Sequence, residues 1–452
     1  MNKLQYPKQL VAVVAGIAMS VPALSAEYMQ QSGPVASSAT EFVGALGYAF
    51  THPKEQPWYL LDDLKEAISD THPFFADSRL SADLRTFGFD RRNGILPDGD
   101  AWATGGQFRY QSGDLVGFSL EAAWYNSTEL DAEGLPTGLI KPNGDNINVW
   151  GEANIKYRFS TTLLEDSELT LYRQKLSLPF INTEDARMLP STHEGYVLQM
   201  SEALNGLVVG HVTRFKSRDD DEFRYLSEVA GAPGSDDGAT VLGGQIGLGQ
   251  HTTMGVANQY GWETFNTFYS EVSHSRRPSE TFDYRLSAQY TNQQSVGDEL
   301  IGEFTTWQTA LQVAAGWRGA VVRLAGSRTG DGARIRSPWG STPSYLSIQR
   351  SDFDSAGERA VLLGLSYNPE YFTSLGWSSF FNVAHGWDRR LASENLELPD
   401  RTEYNWTLDY KPPEGMLRGL WLRFRWAHVD VEGDGATVRD IRLILNYDLS
   451  LL

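Results

Sequence analysis

Arg423 and Arg425 alternate with Leu422, Phe424 and Trp426, so both guanidiniums share one face of an extended segment and the apolar side chains share the other. Fixed guanidiniums bind carboxylates through charge-assisted, often bidentate hydrogen bonds, and several at successive depths let an anion step between sites. No one site in such a row can hold too tightly, because passage needs release as well as entry. Strand phase puts Arg85, Arg109, Lys156, Arg214, Arg285, Arg323 and Arg442 on the same kind of polar face. A second reading stays open, in which these cations pair with Asp83, Asp283, Asp409 or Asp440 and only hold a wall together. The segment 177-195 carries Pro179 and Pro190 on either side of Glu184-Asp185-Ala186-Arg187, which suits a bent loop better than a central strand. We read it as a constricting loop, with Arg187 turned toward a solute and Ser351 and Asp352 of a later loop on the opposite wall. A loop salt bridge is the competing reading of Arg187.

Such groups need strands to position them. In Thr281 to Tyr290, Phe282, Tyr284, Leu286, Ala288 and Tyr290 oppose Asp283, Arg285, Ser287 and Gln289. Glu403 to Tyr410 repeats the pattern, and in Asn148 to Arg158 strict alternation sets Val149, Gly151, Ala153, Ile155 and Tyr157 against Trp150, Glu152, Asn154, Lys156 and Arg158. Strands are predicted at 79-89, 103-111, 116-125, 147-158, 167-176, 193-201, 206-215, 239-248, 252-260, 262-273, 280-291, 303-317, 319-327, 358-367, 375-387, 402-411, 419-430 and 438-449. That is about eighteen, an even number, joined alternately by short turns and by long stretches at 177-192, 218-238 and 328-357. Aromatic residues gather at strand ends, where amphipathic rings suit a membrane interface. The fold class is therefore all-β, a transmembrane antiparallel barrel of about 18 strands. Either guanidinium of Arg423 or Arg425 facing lipid at mid-depth would cost roughly 2–4 kcal/mol, which turns both toward the lumen.

The amino terminus has Lys3 and Lys8, an apolar run from Leu10 to Met19, and small residues up to Ala26. This reads as a secretory signal, residues 1-26, and no later stretch is apolar for long enough to form a membrane helix. Residues 27-73 differ from the rest: Trp58, Leu61, Leu64 and Ile68 recur at near-helical spacing among acidic residues, which suggests a short amphipathic helix in an amino-terminal periplasmic extension. Loose packing of this segment at the barrel mouth explains it equally well. The barrel domain is then 74-452.

Composition narrows the chemistry further. With no cysteine in an exported chain, disulfides, thiol catalysis and thiolate metal sites are all excluded. Without its signal the chain has 36 basic against 57 acidic residues, a net charge of -21, so nucleic acid is not the expected partner. Acidic clusters such as Asp219-Asp220-Asp221-Glu222 read as solvated loops, with a divalent-cation site near lipopolysaccharide the sharper alternative. Histidines are scattered, with no i, i+4 pair, and no nucleophile and base stand together, so neither a cofactor nor a metal is expected.

Several ordered blocks resemble the OprD-type porins, the substrate-specific outer-membrane carboxylate channels. They are Phe74-Phe75-Ala76-Asp77-Ser78-Arg79 through Arg85, Tyr110-Gln111-Ser112-Gly113, Leu178-Pro179 through Pro190 to Glu194-Gly195, and Leu204-Asn205-Gly206-Leu207 with Val212-Thr213-Arg214. Ser351-Asp352-Phe353 with Gly357-Glu358, Gly419 to Arg425, and Asp440 to Tyr447 complete the series. The resemblance implies a monomeric barrel in the outer membrane with inward-folded constricting loops, a narrow eyelet and a ladder of basic residues guiding small organic acids or amino acids. Outer-membrane lipid, lipopolysaccharide and the barrel assembly machinery are then its expected partners. Two departures stand out: the extension 27-73 is longer than the family's usual start, and the chain ends Leu451-Leu452 instead of in phenylalanine. A general diffusion porin is the nearest alternative; a barrel enzyme would need a catalytic pair, and an adhesin or assembly barrel would need a larger extra domain.

Overall fold

A computed structural model of the chain describes residues 61–452 except 95, 162–163, 202–203, 369–375, 395, 413–416 and 434–436. The proposed signal and most of the extension 27-73 lie outside the described residues. Of that extension, α1 (Asp62–Ser69) is helical, as the Leu61, Leu64 and Ile68 spacing predicts, and the four-residue α2 (Pro73–Ala76) leads into the first strand. Leu61 N–H donates to Leu451 O at 2.9 Å and Lys65 Nζ to Ser78 O at 3.1 Å, which ties α1 beside the chain end.

The remaining chain is one closed antiparallel barrel. Its strands are β1 (Arg79–Asn93), β2 (Gly99–Gln111), β3 (Phe118–Gly134), β4 (Ile147–Arg158), β5 (Glu168–Gln174), β6 (Thr192–Gln199), β7 (Val208–Lys216), β8 (Ala239–Gly247) and β9 (Thr252–Gly261). They continue with β10 (Phe265–Ser279), β11 (Phe282–Ser295), β12 (Thr305–Trp317), β13 (Ala320–Thr329), β14 (Arg359–Tyr367), β15 (Trp377–Trp387), β16 (Arg401–Tyr410), β17 (Leu420–Val431) and β18 (Val438–Ser450). Each strand pairs with the next, and β1 closes on β18 from Ser81↔Ser450 to Asn93↔Val438. A two-residue strand, Arg224–Tyr225, extends the edge of β7. Closure leaves no unpaired edge, the condition for strands in a bilayer. Each of the eighteen strands overlaps one predicted from the sequence, and the largest differences are the longer β1, β2, β3, β10 and β11.

Turns at one rim are short, as at Arg318-Gly319, while the β5–β6 loop (175–191), the β7–β8 loop (217–238) and the β13–β14 loop (330–358) crowd the other. The outer surface is apolar, with Leu84, Phe108, Leu286, Leu311, Leu324, Leu363, Leu422 and Leu443 exposed, and it ends in aromatic clusters. Tyr196–His211, Tyr260–Trp262 and Trp426–His428 lie toward the long-loop rim, and Phe118–Tyr157, Phe282–Tyr284 and Trp377–Tyr410 toward the short-turn rim. These are the two interfacial girdles of a membrane barrel.

Two bulges correct the phase read from strict alternation. In β4, Ala123↔Glu152 is followed by Trp124↔Trp150, so Gly151 is an extra residue. A Cβ on Gly151 would lie 2.2 Å from the Tyr125 ring, so only glycine fits there. Val149 therefore faces inward above the bulge, while Glu152, Asn154 and Lys156 face inward below it. In β7, Glu194↔Arg214 is followed by Gly195↔Val212, leaving Thr213 unpaired. Val212 and Phe215 both point inward, which turns Arg214 to the outside of the barrel, contrary to the expectation that it faces the lumen.

Candidate functional site

Inside the barrel, the β5–β6 and β13–β14 loops fold together. Asn182 is the joint: its Nδ2 donates to Ser341 O at 3.0 Å and its Oδ1 accepts from Ser341 N at 2.8 Å. Trp339 Nε1 reaches Leu226 O in the β7–β8 loop at 2.8 Å, so three loops form one constriction.

The wall formed by β16, β17, β18 and β1 carries four of the nine predicted strand cations. Arg423 binds Asp409 through two hydrogen bonds of 2.6 and 2.8 Å, and Trp421 Nε1 adds a third to the same carboxylate. Arg425 donates to Thr407 Oγ1 at 3.3 Å. Arg442 grips Asp440 through two bonds of 2.9 Å and also donates to Gln349 O in the β13–β14 loop. Arg85 holds the β5–β6 loop, pairing with Asp185 at 2.6 Å and donating to Asn446 Oδ1 at 2.7 Å. Along β1, β17 and β18 these groups step from the long-loop end toward the short-turn end, from Arg91 at the Asp440 level to Arg85 at the Asn446 level. Six residues of strand make this roughly 20 Å.

The other predicted cations are distributed differently. Arg109 binds Glu152 through two bonds and also pairs with Glu121, Lys156 pairs with Glu121 at 2.9 Å, and Lys175 lies 3.3 Å from Glu152. This network spans β2–β4 and the start of the β5–β6 loop, with three cations to two carboxylates. Arg323 donates to Asn382 Oδ1 at 3.1 Å, in space left by Gly364, whose Cβ would lie 2.6 Å from that oxygen. Arg285 is buried on β11, in the electrostatic field of Glu271. Asp283, expected as a wall partner, makes no ion pair among the described residues, whereas Asp409 and Asp440 do.

The loop residues are also reassigned. Arg187 does not face the solute path: its guanidinium is buried, donates from Nε to Thr137 O at 3.0 Å, and stacks over Phe89. Burial first, and then the Arg442 charge, push its pKa well below the ordinary guanidinium range. Ser351 is buried against Glu403, and half-buried Asp352 accepts from Ser347 Oγ at 2.6 Å. Arg350, beside them, is exposed, and its backbone N–H is fixed on Glu403 Oε1 at 2.9 Å. Sequence reading missed Arg350, which lies in a loop without periodicity, and Arg91. The latter is in phase with Arg85 but beyond the predicted end of β1.

The result is a crowded cationic corner. Arg91, Arg187 and Arg442 surround the carboxylate of Asp440, and Arg350 adds its charge to the field at Arg91 and Arg187. Arg91 lies 3.3 Å from Asp440 and, like Arg187 and Arg442, stacks over Phe89.

A comparison with curated proteins finds no match. Among solved structures, the barrel is similar to Pseudomonas aeruginosa OccK9 (OpdG), with a TM-score of 0.77 and 23% identity over 84% of this chain and 100% of that one. It is also similar to P. aeruginosa OpdK, solved with vanillate, with a TM-score of 0.74 and 20% identity over 83% and 100%. For P. aeruginosa OccK2 (OpdF), solved in complex with glucuronate, the TM-score is 0.72 with 19% identity over 85% and 100%. These likenesses establish the fold, a closed antiparallel barrel. The family model for the outer membrane porin, OprD family, matches residues 72–451, nearly the whole described chain, and the protein belongs to that family.

Proposed function

We propose that this porin passes small carboxylate-bearing solutes passively through its eyelet, guided by the guanidiniums of the β16–β1 wall. The observation that carries the reading is the corner where exposed Arg350 stands in one field with Arg91 and Arg187, beside Arg442, a concentration of positive charge that draws a visiting carboxylate. Arg350 is the exposed member and the first contact; Arg442, Arg425 and Arg423 follow along the wall. The vanillate and glucuronate held by two structural relatives are both carboxylates and accord with this cargo class. Residues 1-26 are read as the export signal and 27-73 as an extension preceding the barrel.

Replacing Arg350 by glutamine tests the proposal. Block of single-channel current by benzoate or gluconate should weaken about tenfold, while liposome swelling with a neutral sugar stays within about twofold. Equal loss for charged and neutral solutes would overturn it.

A further inference from the structure

The bulge at Thr213 has placed a charged row on the outer surface. Arg173, Glu194 and Arg214 are directly paired across β5, β6 and β7, in register with outward-facing Ala153 of β4. Arg173 Nε donates to Glu194 Oε1 at 2.8 Å and its Nη1 to Trp150 O at 3.0 Å. Arg214 Nη2 donates to Tyr225 Oη at 2.9 Å, and its Nη1 stands 3.7 Å from Glu194. Glu194 is 8% exposed, against 23% for Arg173 and 38% for Arg214, so the cations present themselves and the carboxylate lies beneath them. Among the described residues, Arg173 Nη2 and Arg214 Nε make no protein hydrogen bond.

The position of the row identifies the ligand class. Tyr196 and His211 of the long-loop girdle are paired on the same face, and Glu194 lies two residues beyond Tyr196, about 7 Å nearer the loop rim. Exposed Tyr172, Tyr196 and Trp150 flank the row, as amphipathic rings do at a membrane surface. Hydrocarbon lies on one side of the girdle and headgroups on the other. Two guanidiniums sharing one carboxylate at headgroup depth leave a net positive site with donors turned outward, a geometry suited to bidentate phosphate binding. We propose that Arg173 and Arg214 bind a phosphate monoester of an outer-leaflet lipid, the phosphate of lipopolysaccharide. Glu194 orients the two guanidiniums and weakens the site's hold.

The alternative role for the row is a rim salt bridge that ties β5, β6 and β7, and Glu194 separates the two. The test is native mass spectrometry of the full, folded barrel in detergent, titrated with lipopolysaccharide, with its dephosphorylated form and with phosphatidylglycerol. The wild type should retain lipopolysaccharide in preference to the other two. The pair Arg173→Gln and Arg214→Gln should lower that retention about tenfold and leave neutral-sugar swelling unchanged. Glu194→Gln should retain as much or more, since it removes the competing carboxylate. Retention unaffected by the arginine pair, or lost with Glu194→Gln in a barrel that still migrates as folded, would overturn the proposal. Equal retention of dephosphorylated lipopolysaccharide or of phosphatidylglycerol would also overturn it.

Discussion

Two walls of this lumen hold the same constriction with different chemistry. The β16–β1 wall uses arginine, aspartate and glutamate: Arg85 grips Asp185 of the β5–β6 loop, and Glu403 grips the backbone at Arg350. The β10–β12 wall relies mainly on neutral amides and hydroxyls. Gln293 accepts from Arg336 N and donates to Arg336 O, both at 2.8 Å, Gln308 reaches Phe353 O, and Thr306 donates to Ala333 O at 2.6 Å. Amides fasten the β13–β14 loop without adding to the field in the lumen. Formal charge is therefore concentrated on one side, and the gradient across the pore is built by what the opposite wall leaves out as much as by the arginines.

The largest separation between the walls should be energetic. Asp440→Asn leaves the Arg442 and Arg91 guanidiniums buried without their carboxylate and should cost roughly 3–5 kcal/mol, read as a lower urea midpoint for the folded, gel-shifted barrel. A loss under about 1 kcal/mol would mean that the arginine cluster is already solvated like a surface.

A middle-sized effect concerns pH. Asp354, in the β13–β14 loop, is buried and lies beside Asp352; burial and then that neighbouring charge outweigh Arg334 at 3.3 Å and push its carboxyl up to about 7. The folded loop thus holds the proton more tightly than the unfolded chain does. Its contribution is full below the ordinary carboxylate range, near pH 4, and is lost as pH rises through about 7. Proteolysis within residues 330–358 should be faster at pH 8 than at pH 5, and Asp354→Asn should flatten that dependence. A profile unchanged by the substitution would place the titrating group on the charged wall instead.

The smallest effect is expected on the amide wall. Gln312 is buried and neither of its amide atoms is hydrogen-bonded among the described residues, so Gln312→Leu should change stability by less than about 1 kcal/mol in the same urea assay. A large loss would show that the amide holds ordered water essential to the wall.

The barrel was legible because a period of two repeated over eighteen segments leaves little else for the chain to form. Inward placement of Arg423 and Arg425 followed from the same period, since Leu422 and Phe424 fix the phase locally. Phase failed where an extra residue entered a strand. Gly151 gave a signal that could have been used, a glycine within an otherwise alternating strand, but Thr213 gave none, and Arg214 was placed on the wrong face. Loop residues were harder still. Nothing in Glu184-Asp185-Ala186-Arg187 says that Asp185 meets a strand arginine while Arg187 turns to Thr137, because those partners lie 100 and 50 positions away, respectively. Arg350, the exposed cation at the corner, has no periodicity to place it.

The closure between β1 and β18 brings Arg85 to Asn446, 361 positions along the chain, and Arg91 to Asp440, so the charged wall straddles the seam. Pairings this distant in sequence are the slowest kind to form. Pairing of β18 with β1 therefore completes the cylinder and supplies Asp440 and Arg442 in the same event. Without β18 the wall would stay unsealed and the corner would lack both Asp440 and Arg442, so the seal and the charge at its heart are gained together.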